Sequence, residues 1–186
     1  NTNIHVYDNE IYNFYIGIYM PGNDYAKIYE NRVHNSWPDD SATGIKVGST
    51  NGFTNSNIEV NNNLIWNVNA PYDNTYGMWL GECAHCSILS NTLYANTNTM
   101  LEENNINPVI KNNLAYANLK DQDAMRNTLQ DPLFFNASAG DFHLQPVSRD
   151  WLTYWGLPLR ITRFRSSPLF THAIRVEHKY LSDKNR

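Results

Sequence analysis

Three side chains that could contact a sugar occupy equivalent places in three similar stretches of the sequence. Tyr19, Lys46 and Trp79 each lie two residues after a glycine and between apolar residues. This alternation is typical of a short strand with one apolar face, so the three side chains are expected on the opposite face. Because aromatic rings stack on the flat faces of sugars, the pattern predicts that Tyr19 and Trp79 bind substrate. The alternative is that sheets simply favour Tyr and Trp.

Carboxylates lie at the end of the last of these strand-like stretches and of a fourth, Thr99 to Glu102. Glu82 comes two residues after Leu80, and Glu102 and Glu103 lie at the end of the fourth stretch. Carboxylate oxygens are ligands for Ca²⁺, which makes Glu102 and Glu103 candidate metal ligands. Two carboxyl groups about 5 Å apart, or about 6.5–9.5 Å apart, could instead hydrolyse a glycosidic bond. His85, close to Glu82, is a further candidate for binding substrate or for acid–base chemistry, and solvated acidic loop ends remain the simpler interpretation.

Two cysteines lie in the segment Cys83-Ala-His-Cys86. This spacing could form a redox pair or half of a zinc site. The sequence has no second cysteine pair to complete a zinc tetrad, and no βαβ pattern surrounds the motif. The spacing therefore favours small buried residues or a local disulfide.

A repeated phrase must position all of these residues. It reads apolar, any, apolar, then two or three positions, then Asn, any, apolar, and its Asn residues fall at 9, 31, 63, 91 and 112. The intervals between them are 22, 32, 28 and 21 residues, which is typical of a solenoid with longer coils looped out. Asn tolerates a left-handed corner, and stacked amides can form a ladder between coils. The sequence therefore predicts a structural role for these five residues.

Each predicted coil contains three short strands: one before the Asn, one after it, and a third led by glycine. Alternation in the third strand predicts that its apolar residues face a narrow interior and that its glycines share the outer face with Tyr19, Lys46 and Trp79. Turn-rich segments on both sides of this strand predict a groove with the strand as its floor. The inward residues are expected to be Ile18, Met20, Ile45, Val47, Met78 and Leu80, and the outward glycines Gly17, Gly44 and Gly77.

Composition narrows the possible classes of protein. Of the 186 residues 28 are Asn, which disfavours long helices, and 13% are aromatic, which disfavours disorder. Residues 1–146 carry 6 Lys and Arg against 15 Asp and Glu, a net charge of −9, so nucleic acid is not expected as a partner. The sequence contains no run of 18 apolar residues, so no membrane-spanning helix is predicted. Because the chain starts inside a repeat without Met, we expect the C-terminal part of a longer solenoid or a mature form.

The repeat resembles the right-handed parallel β-helix of pectate-lyase-like proteins, whose coils carry such an Asn ladder. The segment from Asp131 to Phe135, followed by Gly140 to Gln145, is similar to a closing coil of this group. The resemblance covers residues 1–146 and implies an all-β solenoid of about five coils. Residues 147–186 depart from it, with 8 Lys and Arg against 3 Asp and Glu, and are expected to form an irregular basic tail or cap.

The resemblance implies a secreted or cell-surface protein, a monomer, that binds an extracellular acidic polysaccharide. If it is a lyase, Lys46 is the candidate base and Glu82 a further catalytic candidate, and no cofactor is required although Ca²⁺ could assist. If it is a hydrolase, Glu82 would act with Glu102 or Glu103. The alternative is a non-catalytic adhesin or structural module, because the family includes lyases, hydrolases, epimerases and non-catalytic surface proteins.

Overall fold

The computed structural model describes residues 2–48, 54–116 and 134–144. The chain divides into two compact units, residues 1–130 and 131–186. Within the described part of the first unit nearly all regular structure is short parallel strand, and no helix of the described residues is long and apolar enough to cross a membrane. The strands of this unit are β1 Thr2–Tyr7, β2 Glu10–Tyr12, β3 Ile16–Met20, β4 Asp24–Tyr29, β5 Arg32–His34, β6 Thr43–Val47, β7 Asn55–Ser56, β8 Glu59–Asn61, β9 Leu64–Trp66, β10 Tyr76–Gly81, β11 Cys83–Ala84, β12 Ser87–Leu89, β13 Thr92–Tyr94, β14 Asn98–Glu103, β15 Val109–Lys111 and β16 Leu114–Tyr116.

Three parallel sheets form the walls of the solenoid. The first sheet contains β1, β4, β7, β8, β11, β12 and β15, the second contains β2, β5, β9, β13 and β16, and the third contains β3, β6, β10 and β14. Each strand pairs with the equivalent strand one coil further along, as in β2 with β5 and β5 with β9. The chain therefore winds through about five coils with three strands per coil, which confirms the predicted right-handed parallel β-helix architecture.

The predicted ladder forms at the corner between the first and second sheets. The Oδ1 of Asn31 accepts a hydrogen bond from Nδ2 of Asn9 at 2.9 Å, and the Oδ1 of Asn63 accepts one from Nδ2 of Asn31 at 2.9 Å. The Oδ1 of Asn91 continues the column by accepting from Nδ2 of Asn63 at 3.0 Å. The next acceptor is Oδ1 of Asn113, which lies 3.0 Å from Nδ2 of Asn91.

The prediction of Asn112 as the fifth ladder residue is therefore wrong by one position. Asn112 has φ 60°, in the left-handed region. The residues that directly precede the other four ladder residues also have left-handed φ; they are Asp8, Glu30, Asn62 and Ser90. The residue before the ladder makes the sharp corner, and the ladder residue itself is free to point its amide along the stack. The repeat of the last coil shifts with it, so Ile110 and not Val109 faces the interior.

The core is a column of aliphatic side chains enclosed by the three sheets. The six predicted inward residues of the third strand are all buried, with Ile45 stacked between Ile18 and Met78. Burial of such side chains contributes about 1.5–3 kcal/mol each. The remaining fully buried aliphatic residues are Ile28, Ile58, Ile65, Val33, Val60 and Val68.

The three glycines predicted to face outward, Gly17, Gly44 and Gly77, face interior side chains instead. A Cβ on Gly17 would lie 2.6 Å from Cγ1 of Val33, and a Cβ on Gly44 would lie 2.9 Å from Cγ2 of Ile65. Val33 and Ile65 are interior residues of the second sheet. The third strand thus bends at its start toward the second sheet, and the close approach of the two walls leaves room only for glycine.

The described residues of the second unit form a small hairpin of their own. Strand β17 (Phe134–Asn136) pairs with β18 (Asp141–Leu144) in antiparallel fashion, with a short 3-10 helix (Ala137–Ala139) between them. The ring of Phe134 packs edge-on against that of Phe142, with centroids 5.1 Å apart. The predicted boundary at residue 146 stays a prediction, and the predicted basic tail, residues 147–186, lies outside the described residues.

Candidate functional site

The outer face of the third sheet brings together the predicted stripe. Strand register places Tyr19 beside Lys46, Lys46 beside Trp79, and Trp79 beside Leu101. The Nζ of Lys46 lies 3.6 Å from the ring centroid of Trp79 and 5.4 Å from that of Tyr19. A cation held over a ring face in this way is attracted by the negative charge of the π-system. The ammonium of Lys46 is thus fixed between two aromatic rings.

Glu103 completes this cluster. Its Oε2 accepts a hydrogen bond from Nε1 of Trp79 at 3.2 Å. Burial lowers the pKa of Lys46 below its ordinary value, and the negative charge of Glu103 opposes that shift. Burial also raises the pKa of Tyr76, with the charges of Glu103 and Asp73 adding to the rise. Lys46, Trp79 and Glu103 therefore form one cluster, and Tyr76 lies close enough to Glu103 to be influenced by its charge.

Exposure differs sharply along the stripe. The ring of Tyr19 is 44% exposed, whereas Trp79 is 8% exposed. One face of the Trp79 ring is covered by Lys46, and its N–H is bound to Glu103. A ligand at this face would therefore meet the Tyr19 ring and the Lys46 ammonium, with Trp79 behind them as the residue that holds Lys46.

The two candidate calcium ligands lie on opposite faces of β14. Glu102 pairs with Leu80 and so belongs to an inward-facing column, whereas Glu103 pairs with Gly81 on the outer face. Burial raises the pKa of Glu102, and a hydrogen bond with the side chain of Asn105 opposes that rise. The pair does not converge on one ion, and the described residues contain no group of three or more His, Cys, Asp and Glu that could hold a metal. Calcium binding stays a prediction.

Glu82 and His85 lie at corners and not on the floor. Glu82 has φ 51° and follows directly after β10, and His85 has φ 57° and lies exposed in the first sheet, between β11 and β12. The Oε2 of Glu82 is buried and has no hydrogen-bond partner among the described residues. The ion pairs Lys27–Glu59 and His34–Glu10 include none of Glu82, His85 and Lys46. The structure thus brings neither Glu82 nor His85 into an ion pair with Lys46, and their predicted roles stay predictions.

Comparison with known protein families agrees with this architecture. The model of the right-handed β-helix region matches residues 1–134. The chain belongs to the right-handed β-helix family. No curated protein and no solved structure matches the chain. The family defines the fold of this β-helix protein and leaves its ligand to be inferred from the site.

The two cysteines of the β-helix form a buried disulfide at the first sheet. Cys83 and Cys86 are bonded to each other and are 1% and 0% exposed. Cys83 also occupies a position in a second Asn column, between Asn55 and Asn105, and its N–H donates to Oδ1 of Asn105 at 2.9 Å. Because Cys83 offers no amide oxygen there, Nδ2 of Asn55 is buried without a partner among the described residues. The local-disulfide interpretation of the motif agrees with this structure.

Sequence reasoning missed two exposed rings at the start of the third sheet. Tyr15 and Trp37 lie in the turns that lead into β3 and β6, and their ring centroids are 5.3 Å apart. They are separated by 22 residues, the same interval that separates Asn9 from Asn31. That shared interval was the available signal, because residues one repeat apart stack on each other.

Proposed function

We propose that this β-helix protein binds an acidic polysaccharide on the outer face of its third sheet. In this proposal the Lys46 ammonium pairs with a uronate carboxylate, and the exposed ring of Tyr19 stacks on the same or the next sugar. The observation that carries the proposal is the position of the Lys46 Nζ, held 3.6 Å over Trp79 and beside an open aromatic ring.

The physical support is preorganisation. A free lysine side chain loses considerable rotamer freedom when it binds, whereas Lys46 is already held by two rings. Partial burial also reduces the screening of its charge by water. Both effects favour an anionic ligand over a neutral one at this face.

Cleavage of the polysaccharide by a lyase reaction is a second candidate, and the lowered pKa of Lys46 favours it. The neutral amine would take the proton from the carbon beside the uronate carboxylate, a carbon–carbon double bond would form, and the glycosidic carbon–oxygen bond would break toward the leaving oxygen. The carboxylate would then need a second cation, because one lysine cannot serve as base and counter-ion together. Lys46 is the one Lys or Arg among the strands of this face, so the described residues favour binding. Hydrolysis of the polysaccharide by Glu82 with Glu102 or Glu103 is the third candidate activity.

Affinity electrophoresis in gels containing polygalacturonate, alginate or neutral xylan tests the binding proposal. We expect retardation in at least one of the acidic gels, its loss in Lys46→Ala, and a weaker retardation in Tyr19→Ala. Equal retardation of Lys46→Ala and the parent protein, or no retardation in any acidic gel, would overturn the proposal.

The same samples separate binding from turnover. Products that absorb in the near-ultraviolet would mark a lyase, new reducing ends without that absorbance would mark a hydrolase, and retention without products would mark a non-catalytic surface module. We propose a secreted or cell-surface location for the protein, and the Cys83–Cys86 disulfide supports it because such bonds persist in oxidising compartments.

A further inference from the structure

We infer that the bound polysaccharide lies across the third sheet, parallel to its strands, and that the Tyr15–Trp37 pair contacts the sugars at one end of it. This inference rests on the proposed function and adds the orientation of the ligand and two residues that select for its length. Hereafter the two rings of Tyr15 and Trp37 are called the aromatic pair.

The aromatic pair is open to solvent and inclined. Tyr15 is 45% exposed and Trp37 is 46% exposed. Their ring planes meet at 51°, so the two rings are neither stacked face to face nor buried against each other. Rings in this arrangement keep apolar faces available for a flat sugar.

Backbone hydrogen bonds hold the aromatic pair in place. The N–H of Trp37 donates to the carbonyl of Phe14 at 3.0 Å, and the N–H of Thr43 donates to the carbonyl of Tyr15 at 2.8 Å. The turn before Trp37 is tied to the next coil, because Oγ of Ser36 donates to the carbonyl of Asn69 at 3.2 Å. A site on a fixed turn loses little entropy on binding.

The pair is in line with the Lys46 site along β3. Tyr15 directly precedes β3, and Tyr19 is the fourth residue of that strand. Four residues of extended chain span no more than about 13 Å, so both ends lie within reach of one short oligosaccharide. Ile16, between them, is 41% exposed and adds apolar surface to the same path.

Among the described strands of the third sheet, the direction of the solenoid axis offers no equivalent path of open rings. From Tyr19 the next positions along the axis are Lys46 and then Trp79, whose ring is 8% exposed. Asp39 and Asp40 follow Trp37 in its loop, so an anionic sugar gains nothing from charge at that end. The contact at the aromatic pair is therefore made by ring faces, and the contact at Lys46 by charge.

The test compares short and long ligands. The probes are a disaccharide and an octasaccharide prepared from the acidic polymer that retards the parent protein, polygalacturonate or alginate, with Kd measured by calorimetry. We expect Trp37→Ala to weaken octasaccharide binding by about 3- to 10-fold and to leave disaccharide binding unchanged. The matched control is Tyr12→Ala, which removes an exposed ring that also has one ring partner, His34, but lies on the second sheet.

Salt dependence provides a second readout. Octasaccharide binding by the parent protein should weaken as salt is added, because the Lys46 contact is made by charge, whereas the factor lost in Trp37→Ala should be the same at low and high salt. If Trp37→Ala binds both ligands like the parent protein while Lys46→Ala binds neither, the inference fails and the proposed function stands. If the parent protein binds no acidic probe, the proposed function itself fails. Equal weakening by Tyr12→Ala and Trp37→Ala would also contradict the inference.

Discussion

Asn113 shows how much one amide contributes at a coil corner. Its Oδ1 accepts from both the backbone N–H and Nδ2 of Asn91, at 2.9 and 3.0 Å, and its Nδ2 donates to the carbonyl of Ile88 at 3.1 Å. All three partner groups belong to two buried residues, Asn91 and Ile88. A buried polar group without a partner costs about 1–3 kcal/mol, which makes this residue a sensitive site for substitution.

We expect Asn113→Ala to lower the free energy of unfolding by about 2–4 kcal/mol. Asn112→Gly is the control, because glycine accepts the left-handed φ of 60° at that position, and it should change stability by no more than about 0.5 kcal/mol. Urea unfolding followed by circular dichroism measures both. A larger loss of stability in Asn112→Gly than in Asn113→Ala would instead assign the ladder position to Asn112.

Lys46 gives the proposed binding a pH dependence. Only the protonated ammonium pairs with a uronate carboxylate, and its proton is lost as the pH rises through a pKa that burial places below the ordinary 10.5. As the pH is raised, binding of acidic polysaccharide should therefore weaken before the pH reaches 10.5, the ordinary lysine value. Lys46→Arg should bind at that alkaline pH, because its guanidinium stays charged. Identical pH profiles for the parent and Lys46→Arg would exclude Lys46 as the charged contact.

At the scale of an element, the start of each third strand is set by wall-to-wall contact. A Cβ on Gly44 would lie 2.5 Å from the carbonyl oxygen of Gly77 in the next coil, as well as against Ile65. We expect Gly44→Ala to cost about 1–3 kcal/mol in stability. Gly81→Ala should cost less, because the three atoms nearest to its Cβ would all belong to the ring of Trp79, at 3.3–3.4 Å. Thermal unfolding of the two variants compares them directly.

In the second Asn column, Cys83 occupies the position that Asn occupies in the neighbouring coils, at Asn55 and Asn105. Replacing the disulfide by Cys83→Asn with Cys86→Ala would offer an amide oxygen to Nδ2 of Asn55, which has no partner among the described residues. We expect this variant to be more stable than Cys83→Ala with Cys86→Ala by about 1 kcal/mol, although both lose the disulfide. Equal unfolding midpoints in urea would show that the column does not extend through position 83.

In the first unit, the stability lost when a core side chain is truncated should depend on the position of that residue along the stack of coils. In a solenoid each coil contacts only its neighbours, so a residue between two coils loses contacts on both sides when it is truncated. Ile65 is 0% exposed and lies between Val33 and Leu93, whereas Ile11 is only partly buried. Ile65→Ala should therefore cost about 3–4 kcal/mol, and Ile11→Ala clearly less. Equal costs in chemical denaturation would argue against this nearest-neighbour behaviour.

The sequence by itself determined which residues stack. A repeat marked by Asn, with apolar residues at fixed places around it, is enough to give three strands per coil, the parallel sheets and the column of Tyr19, Lys46 and Trp79. The reason is that residues one repeat apart must lie at the same point of successive coils. The interval of 22 residues that aligns Tyr15 with Trp37 is present in the sequence as well.

Only the tertiary structure decided which way these residues point and which of them a ligand can reach. The corners depend on how closely two walls approach, so Gly44 turned inward and the left-handed position fell on Asn112 and not on the ladder residue. The side chains of Lys46 and Glu103 covered Trp79 while Tyr19 stayed open, and strand alternation separated Glu102 from Glu103. These outcomes depend on contacts between residues of different coils and walls, which a repeat pattern along one chain does not contain.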